Sequence, residues 1–333
     1  MRVLVVAQQL RRAVAGGIGT YVTGLLGGLA GTPADITLWA SRPPRRGPDP
    51  LAALGPVVTS PLPAPVLVRA WDRGLGRPGR RADVVHATSF AVPPPGPAPL
   101  SVMVHDLAWR HFPEAYPGRG RRWHEAALGR ALSRARLFVV PSSTVADDLL
   151  AAGAPAARVE VVEEGCDHLP PPDDVAATAL LRRVGVTGDF LLTVSTLEPR
   201  KNLPRLLAAY QAVRARLPEP WPLVVAGPSG WGPAVRPGPG VVLAGHAGGG
   251  ALTALYRRAR LMAYVPLREG FGLPAVEAMA CGTPVVASPV PSTGGAALEV
   301  DPLDVDAIAA ALLQAATDER ARAELVEVGR ARA

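Results

Sequence analysis

Lysine is almost missing from this chain: among 35 basic residues in a total of 333, only Lys201 is a lysine, and the rest are arginine. A lysine kept against such replacement is a candidate for work that arginine does poorly, since a compact ammonium on a flexible stem differs from a planar fork. Chance survival is the competing reading. Cysteine is scarce too. Cys166 and Cys281 lie far apart without metal-ligand spacing, which argues against a disulfide framework or a zinc site and makes a reducing cytoplasm the expected compartment. No window approaches the roughly 18 unbroken apolar residues of a membrane span. The N-terminal apolar run is short and lacks a small-residue cleavage site after it, so Val3–Ala7 reads as a buried strand and not as part of a signal peptide. Proline and glycine, at 37 and 35 residues, stay below the share that marks disorder.

Acidic residues are in deficit only in the first half. Residues 1–165 hold 19 arginines against 12 acids, whereas residues 166–333 hold 16 of each sign, so the whole formal charge of +7 lies in the first half. The arginines are dense from Arg110 to Arg136. This asymmetry suits an anionic partner, a phosphorylated acceptor or a lipid headgroup, with peripheral contact at the inner face of a membrane. Solvated helix faces are the plain alternative, and nucleic acid is not expected.

Apolar runs alternate with helical patterns along the whole chain. Strands are expected at Val3–Ala7, Ile36–Trp39, Val84–Ala87, Ser101–His105, Phe138–Pro141 and Val159–Val162. A second series follows at Phe190–Ser195, Leu223–Ala226, Val241–Ala244, Leu261–Val265 and Pro284–Ala287. Helical patterns fall between them, at Tyr21–Ala30, Arg121–Ala135, Thr144–Ala152, Leu203–Leu217, Leu252–Ala259 and Val276–Ala280. The tail, Asp304–Ala316 and Asp318–Arg330, reads as two helices capped by their aspartates. Such alternation predicts an α/β fold of two Rossmann-like domains with parallel sheets facing each other across a cleft. The expected domains are residues 1–165 and 166–333.

Three segments carry chemistry. Gly16-Gly17-Ile18-Gly19 stands between the first strand and a helix, where free amides favour an anion, although a tight turn without a ligand explains it equally. Ser195–Leu203 (STLEPRKNL) sets Arg200 and Lys201 side by side where a strand ends and a helix begins, which makes a diphosphate clamp. Glu269-Gly270-Phe271-Gly272-Leu273-Pro274 opens a helix that carries Glu277. The amides of Phe271, Gly272 and Leu273 suit phosphate there, with the two glutamates accepting from sugar hydroxyls.

The spacing from Glu269 to Glu277 resembles the E-x7-E signature of retaining GT-B glycosyltransferases, and the chain is similar to glycosyltransferase family 4. The likeness extends over GGIGTY, HDLAWRHFPEAY, PSSTVADDL, TLEPRKNLPRLLAAY, EGFGLPAVEAMACGTPVVAS and VDPLDVDAIAAAL. It implies a first domain on the acceptor side and a second that binds a nucleotide-sugar donor. By the same resemblance Lys201 and Arg200 neutralise the leaving diphosphate, Glu269 holds the transferred hexose, and Glu277 the ribose. The amides of Phe271–Leu273 meet phosphate and sugar. Gly16 and Gly17 approach the donor phosphate or the acceptor, His105 approaches the sugar, and the base rests near His246 and Ala247. Mannose or a related hexose would move to a glycan, lipid-linked or small-molecule acceptor with retention, and without a metal or other cofactor. Asp304-Val305-Asp306 has metal-motif spacing but reads as a helix cap.

Several positions depart from the family pattern. Thr196 stands where an arginine is common, the loop Ala287–Gly295 is shorter and lacks its Pro-Glu segment, and the junction reads Glu163-Glu164-Gly165 in place of Pro-Asn-Gly. The final helix that usually crosses back to the first domain is not expected before Ala333. A nucleotide-sugar epimerase and a non-catalytic binding subunit are the alternatives.

Overall fold

The second strand series shows how sequence becomes layered structure here. In a computed structural model, which describes residues 1–12, 15–44, 47–77 and 82–333, these apolar runs form strands buried on both faces, apart from the half-exposed edge strand at Val241–Gly245. Successive residues divide between two cores, as the period of two requires. Leu191, Leu223, Val225, Leu261 and Ala263 pack on one side, and Leu192, Val224, Ala226, Met262 and Tyr264 on the other.

The chain divides into two compact units, Met1–His168 and Leu169–Ala333. Unit 1 runs β1 (Arg2–Val6), α1 (Gly16–Leu29), β2 (Asp35–Ala40), β3 (Val57–Thr59), α2 (Ala64–Asp72), β4 (Val84–Ala87), β5 (Leu100–Met103), α3 (Ala108–His111), α4 (Gly118–Arg134), β6 (Leu137–Val140), α5 (Ser143–Ala151) and β7 (Val159–Val161). Its parallel sheet has the order β3-β2-β1-β4-β5-β6-β7.

Unit 2 runs α6 (Asp174–Arg183), β8 (Leu191–Val194), α7 (Leu203–Val213), β9 (Leu223–Ala226), β10 (Val241–Gly245), α8 (Gly249–Arg258), β11 (Leu261–Tyr264), α9 (Leu273–Ala280), β12 (Val285–Ala287), β13 (Leu298–Glu299), α10 (Val305–Thr317) and α11 (Glu319–Arg332). Its order is β10-β9-β8-β11-β12-β13. The chain steps outward from β8 to β10, then returns to the other side of β8 with β11. That reversal is a topological switch point, where loops from adjacent strand ends diverge and leave room for a ligand. In unit 1 the equivalent place lies between β1 and β4.

Several elements differ from expectation. The glycines at 16, 17 and 19 form the first turn of α1 and not a loop ahead of it. The helix expected to reach Leu217 ends at Val213 and tightens into a 3-10 turn over Arg214–Arg216. Strand β3 and helix α2 lie where no strand or helix is expected. Pro65 occupies the first turn of α2, where a missing N–H costs nothing. Helix α6 is another addition, with Asp173 accepting from the Ala176 amide at 2.9 Å at its start. Asp304 accepts from the Ala307 amide at 2.9 Å, the capping geometry expected of it. Among the described residues no helix is long and apolar enough to cross a membrane.

Tyr210 ties α7 to the ends of two neighbouring segments. It is fully buried, and its hydroxyl lies 2.7 Å from the Trp221 carbonyl and 3.1 Å from that of Gly240. Tyr210→Phe leaves both acceptors without this donor. A loss of about 1 to 2 kcal/mol is expected, measured as a lower urea midpoint with an unchanged slope.

Candidate functional site

The cation loop begins where β8 ends. Pro199 opens a 3-10 turn over Pro199–Lys201, and Asn202 closes it in the left-handed region at φ 58. Asparagine tolerates that conformation better than most residues. Its side-chain amide also donates to the Val265 carbonyl at 3.0 Å and the Pro302 carbonyl at 2.7 Å. The Leu267 amide donates to the Arg200 carbonyl at 2.9 Å, so the loops after β8 and β11 are tied by backbone as well. Arg200 and Lys201 are thereby held at the switch point of unit 2.

Both cations meet one carboxylate. Lys201 Nζ lies 2.5 Å from Glu269 Oε1, and Arg200 Nη1 lies 2.9 Å from Glu269 Oε2. Arg200 also donates to Glu198 at 3.0 Å and to the Arg268 carbonyl at 2.8 Å. Lys201 stands 3.5 Å from the Tyr264 hydroxyl and 5.8 Å from that ring's centre. Burial would push the Glu269 carboxyl up, but Arg200 and then Lys201 overcome it and hold it at about 2. Burial and the nearby Glu269 charge push the Tyr264 phenol well up, so it stays neutral. Arg200 is therefore braced by three acceptors, while Lys201 has one carboxylate partner.

The glycine turn after Glu269 is fixed from an unexpected side. Gly272 is the N-cap of α9 at φ 103, a conformation closed to most L-residues, and a Cβ there would lie 2.9 Å from Ser292 Oγ. The Ser292 hydroxyl donates to the Gly272 carbonyl at 2.8 Å and its amide to the Phe271 carbonyl at 2.9 Å. The short loop after β12 thus clamps this turn. No backbone acceptor among the described residues takes the amides of Phe271, Gly272 or Leu273, and a helix N-terminus adds its dipole to them. Glu277, one turn on, is 6% exposed and accepts from the Tyr256 hydroxyl at 2.6 Å. Burial, reinforced by Glu277, raises the Tyr256 phenol well above its ordinary value.

After β10, His246 is exposed and Ala247 is buried against the core beside α8. In unit 1, Gly16 adopts φ +59 and both Gly16 and Gly17 face open space, at a helix start with no side-chain cap and no acid in its first turn. His105 follows β5. Its Nε2 donates to the Thr88 carbonyl at 3.0 Å, Nδ1 lies 3.4 Å from Glu164, and the ring meets Tyr21 edge-on at 5.1 Å. Tyr21 bonds His86 at 2.9 Å, and His86 bonds Ser101 at 2.8 Å. Burial and then the His105 charge lower the His86 pKa to about 4, so it is neutral at pH 7. A cavity of about 630 Å³ lies elsewhere in unit 1, lined by Trp109, Arg110, Pro113, Arg121, Arg122 and Glu125.

The sequence names Arg200, Lys201, Glu269, Phe271, Gly272, Leu273 and Glu277, which the fold of unit 2 gathers at adjacent strand ends, and His246 and Ala247, which follow β10. It also names Gly16, Gly17 and His105, which belong to unit 1. It missed Glu198, Asn202, Tyr256, Tyr264, Ser292 and Glu164. Only Asn202 had a local signal, as a left-handed former between a cation turn and a Leu-Pro helix start.

Residues 15–168 match the family model Glycosyltransferase Family 4, and residues 188–318 match Glycosyl transferases group 1. The chain carries a glycosyltransferase family 4 domain followed by a glycosyl transferases group 1 domain. It is similar to O-antigen chain mannosyltransferase B of Escherichia coli, 33% identical over 65% of this chain and 60% of the relative. It is also similar to D-inositol 3-phosphate glycosyltransferase of Salinispora arenicola, 37% identical over 48% of this chain and 41% of the relative. The matches thus span less than two thirds of these relatives' own lengths. Among solved structures, Anabaena HepE in complex with UDP and glucose superposes with a TM-score of 0.71 at 18% identity, covering 99% of this chain and 94% of that one. Sucrose-phosphate synthase from Thermosynechococcus elongatus superposes at 0.69 with 19% identity, covering 100% and 94%. The fold is GT-B, with two Rossmann-like units.

Removing the shared carboxylate leaves two cations facing each other in a buried place. Glu269→Gln is expected to destabilise unit 2 by about 3 to 5 kcal/mol at pH 7. Because the folded carboxyl is depressed to about 2 from 4.5, its stabilisation is present above pH 4.5 and is lost as pH falls toward 2. Urea midpoints of wild type and variant therefore converge through that window.

Proposed function

We propose that the enzyme transfers a hexose, mannose or a close relative, from a nucleoside-diphosphate donor with retention and without a metal ion. The observation that carries this reading is the pairing of Lys201 and Arg200 with Glu269 at the switch point, beside the amides that open α9. An incoming diphosphate competes with Glu269 for the Lys201 ammonium. Lys201 turns to phosphate on its flexible stem, and the released carboxylate accepts hydroxyls of the sugar. Arg200 stays braced by Glu198 and adds its field, and the amides of Phe271–Leu273 complete the anion site. Glu277 meets the ribose, with the base beside His246 and Ala247. These three contributions, Lys201, Arg200 and the amides that open α9, leave the diphosphate with no need of a cation from solution.

In the reaction the bond from the anomeric carbon to phosphate oxygen breaks, and the acceptor oxygen bonds the same face. The acceptor proton passes to the leaving phosphate, whose charge Lys201 and Arg200 stabilise. Gly16 and Gly17 serve the donor phosphate or the acceptor, and His105 the transferred sugar. The acceptor is a glycan, lipid-linked saccharide or small molecule, and the exposed arginines of α4, Arg119, Arg121 and Arg122, attract its anionic form or a lipid surface. The names of the mannosyltransferase and inositol-phosphate relatives, and the UDP held by HepE, support this substrate class.

Calorimetry with UDP and GDP tests the donor site. At least one is expected to bind, and Lys201→Ala to weaken it about tenfold or more, the worth of a charge-assisted hydrogen bond. Binding by neither diphosphate would remove the proposal. Proton NMR of the product from GDP-mannose or UDP-glucose is expected to show the donor's anomeric configuration, and inversion would exclude the same-face step.

A further inference from the structure

Unit 2 exposes one indole at the carboxyl edge of its sheet. Trp231 is 40% exposed, whereas Trp221 in the same unit is 8% exposed and packs in the core. Its loop, between β9 and β10, is pressed onto the cation loop at three points. A Cβ at Gly227 would lie 1.8 Å from the Ser195 carbonyl oxygen. At Gly230 it would lie 2.6 Å from that of Leu197, and at Gly232 2.7 Å from the Pro199 ring. The Leu197 amide donates to the Pro228 carbonyl at 3.0 Å, and the Gly227 amide to that of Gly245 at 2.8 Å. The segment therefore bridges the end of β10 and the turn that carries Arg200 and Lys201. Trp231 is placed by the contacts of the glycines on either side of it.

Strand order gives this placement a direction. The phosphate-binding groups sit at the ends of β8 and β11, and His246 and Ala247 at the end of β10. Strand β9 lies between β8 and β10. A nucleoside diphosphate laid along this edge, phosphate over β8 and base toward β10, passes its nucleoside across the loop that bears Trp231. We propose that the Trp231 indole is a stacking surface for the donor's nucleobase, an inference that rests on the donor site proposed above. Flat rings stack on indole whatever their hydrogen-bonding edge, so the contact adds affinity for the nucleoside and little for the diphosphate.

The test compares UDP and GDP with inorganic pyrophosphate, which has no base, on wild type, Trp231→Ala, Trp231→Phe and Lys201→Ala. Trp231→Ala is expected to weaken the bound nucleoside diphosphate about tenfold, with most of the affinity restored in Trp231→Phe. Pyrophosphate affinity stays unchanged in both. Nucleotide quenching of tryptophan emission is expected in wild type and to be lost in Trp231→Phe. Equal losses for nucleotide and pyrophosphate, or no loss with retained quenching, would overturn the stacking role. So would an effect confined to the acceptor's KM. Failure of the donor site itself shows separately, as Lys201→Ala leaving every ligand's affinity unchanged.

Discussion

One buried carboxylate organises the functional half of this molecule. Glu269 ends the loop after β11 and reaches both cations of the loop after β8, so two segments 68 residues apart in sequence share a single electrostatic anchor. Burial opposes its charge, and the paired cations more than offset that penalty, which is why the carboxyl titrates near 2. Around it, Asn202 holds the cation turn, Tyr264 presents a neutral hydroxyl to Lys201, and Ser292 clamps the glycine turn that follows. The cluster is formally balanced, with Arg200 and Lys201 against Glu198 and Glu269. Under the proposed donor reading, a ligand that brings negative charge reorganises it, and the lysine, on its flexible stem, is the group that moves.

Arg200 and Lys201 are held in different ways. Arg200 uses its fork to bind two carboxylates and a carbonyl at once, a task suited to a rigid planar group. Lys201 has one main partner and a flexible stem. Interchanging the two would leave a brace with too few donors and a mobile charge with too many. Thr196, at the position where the family pattern predicts an arginine, packs under the Trp231 loop, with its methyl near Gly230.

Much of the architecture was legible because its signals are local. Leu223–Ala226 is a continuous apolar run and Val84–Ala87 an apolar run broken only by His86, and both match their strands residue for residue, while the Asp304 and Asp318 caps are readable from side-chain chemistry alone. The site was legible where a motif ties charge to a turn, as at Arg200-Lys201 and Glu269–Glu277. What stayed hidden depends on tertiary neighbours. Nothing near Tyr256 announces Glu277, 21 residues away, and the clamp by Ser292 lies in a loop that looked deficient because it is short. Strand β3 is three half-exposed or exposed residues among prolines, too brief for any periodicity to register. Glu164 gained meaning only when the fold of unit 1 set it beside the His105 ring.

The single lysine makes the central claim directly observable. With lysine carrying 13C at its ε position, the protein yields one side-chain resonance, that of Lys201, free of overlap from any other lysine. Adding UDP or GDP is predicted to shift this resonance along with tight binding, as the ammonium leaves Glu269 for phosphate, while the unphosphorylated nucleoside leaves it in place. A nucleoside diphosphate that binds without moving the Lys201 signal would contradict the account.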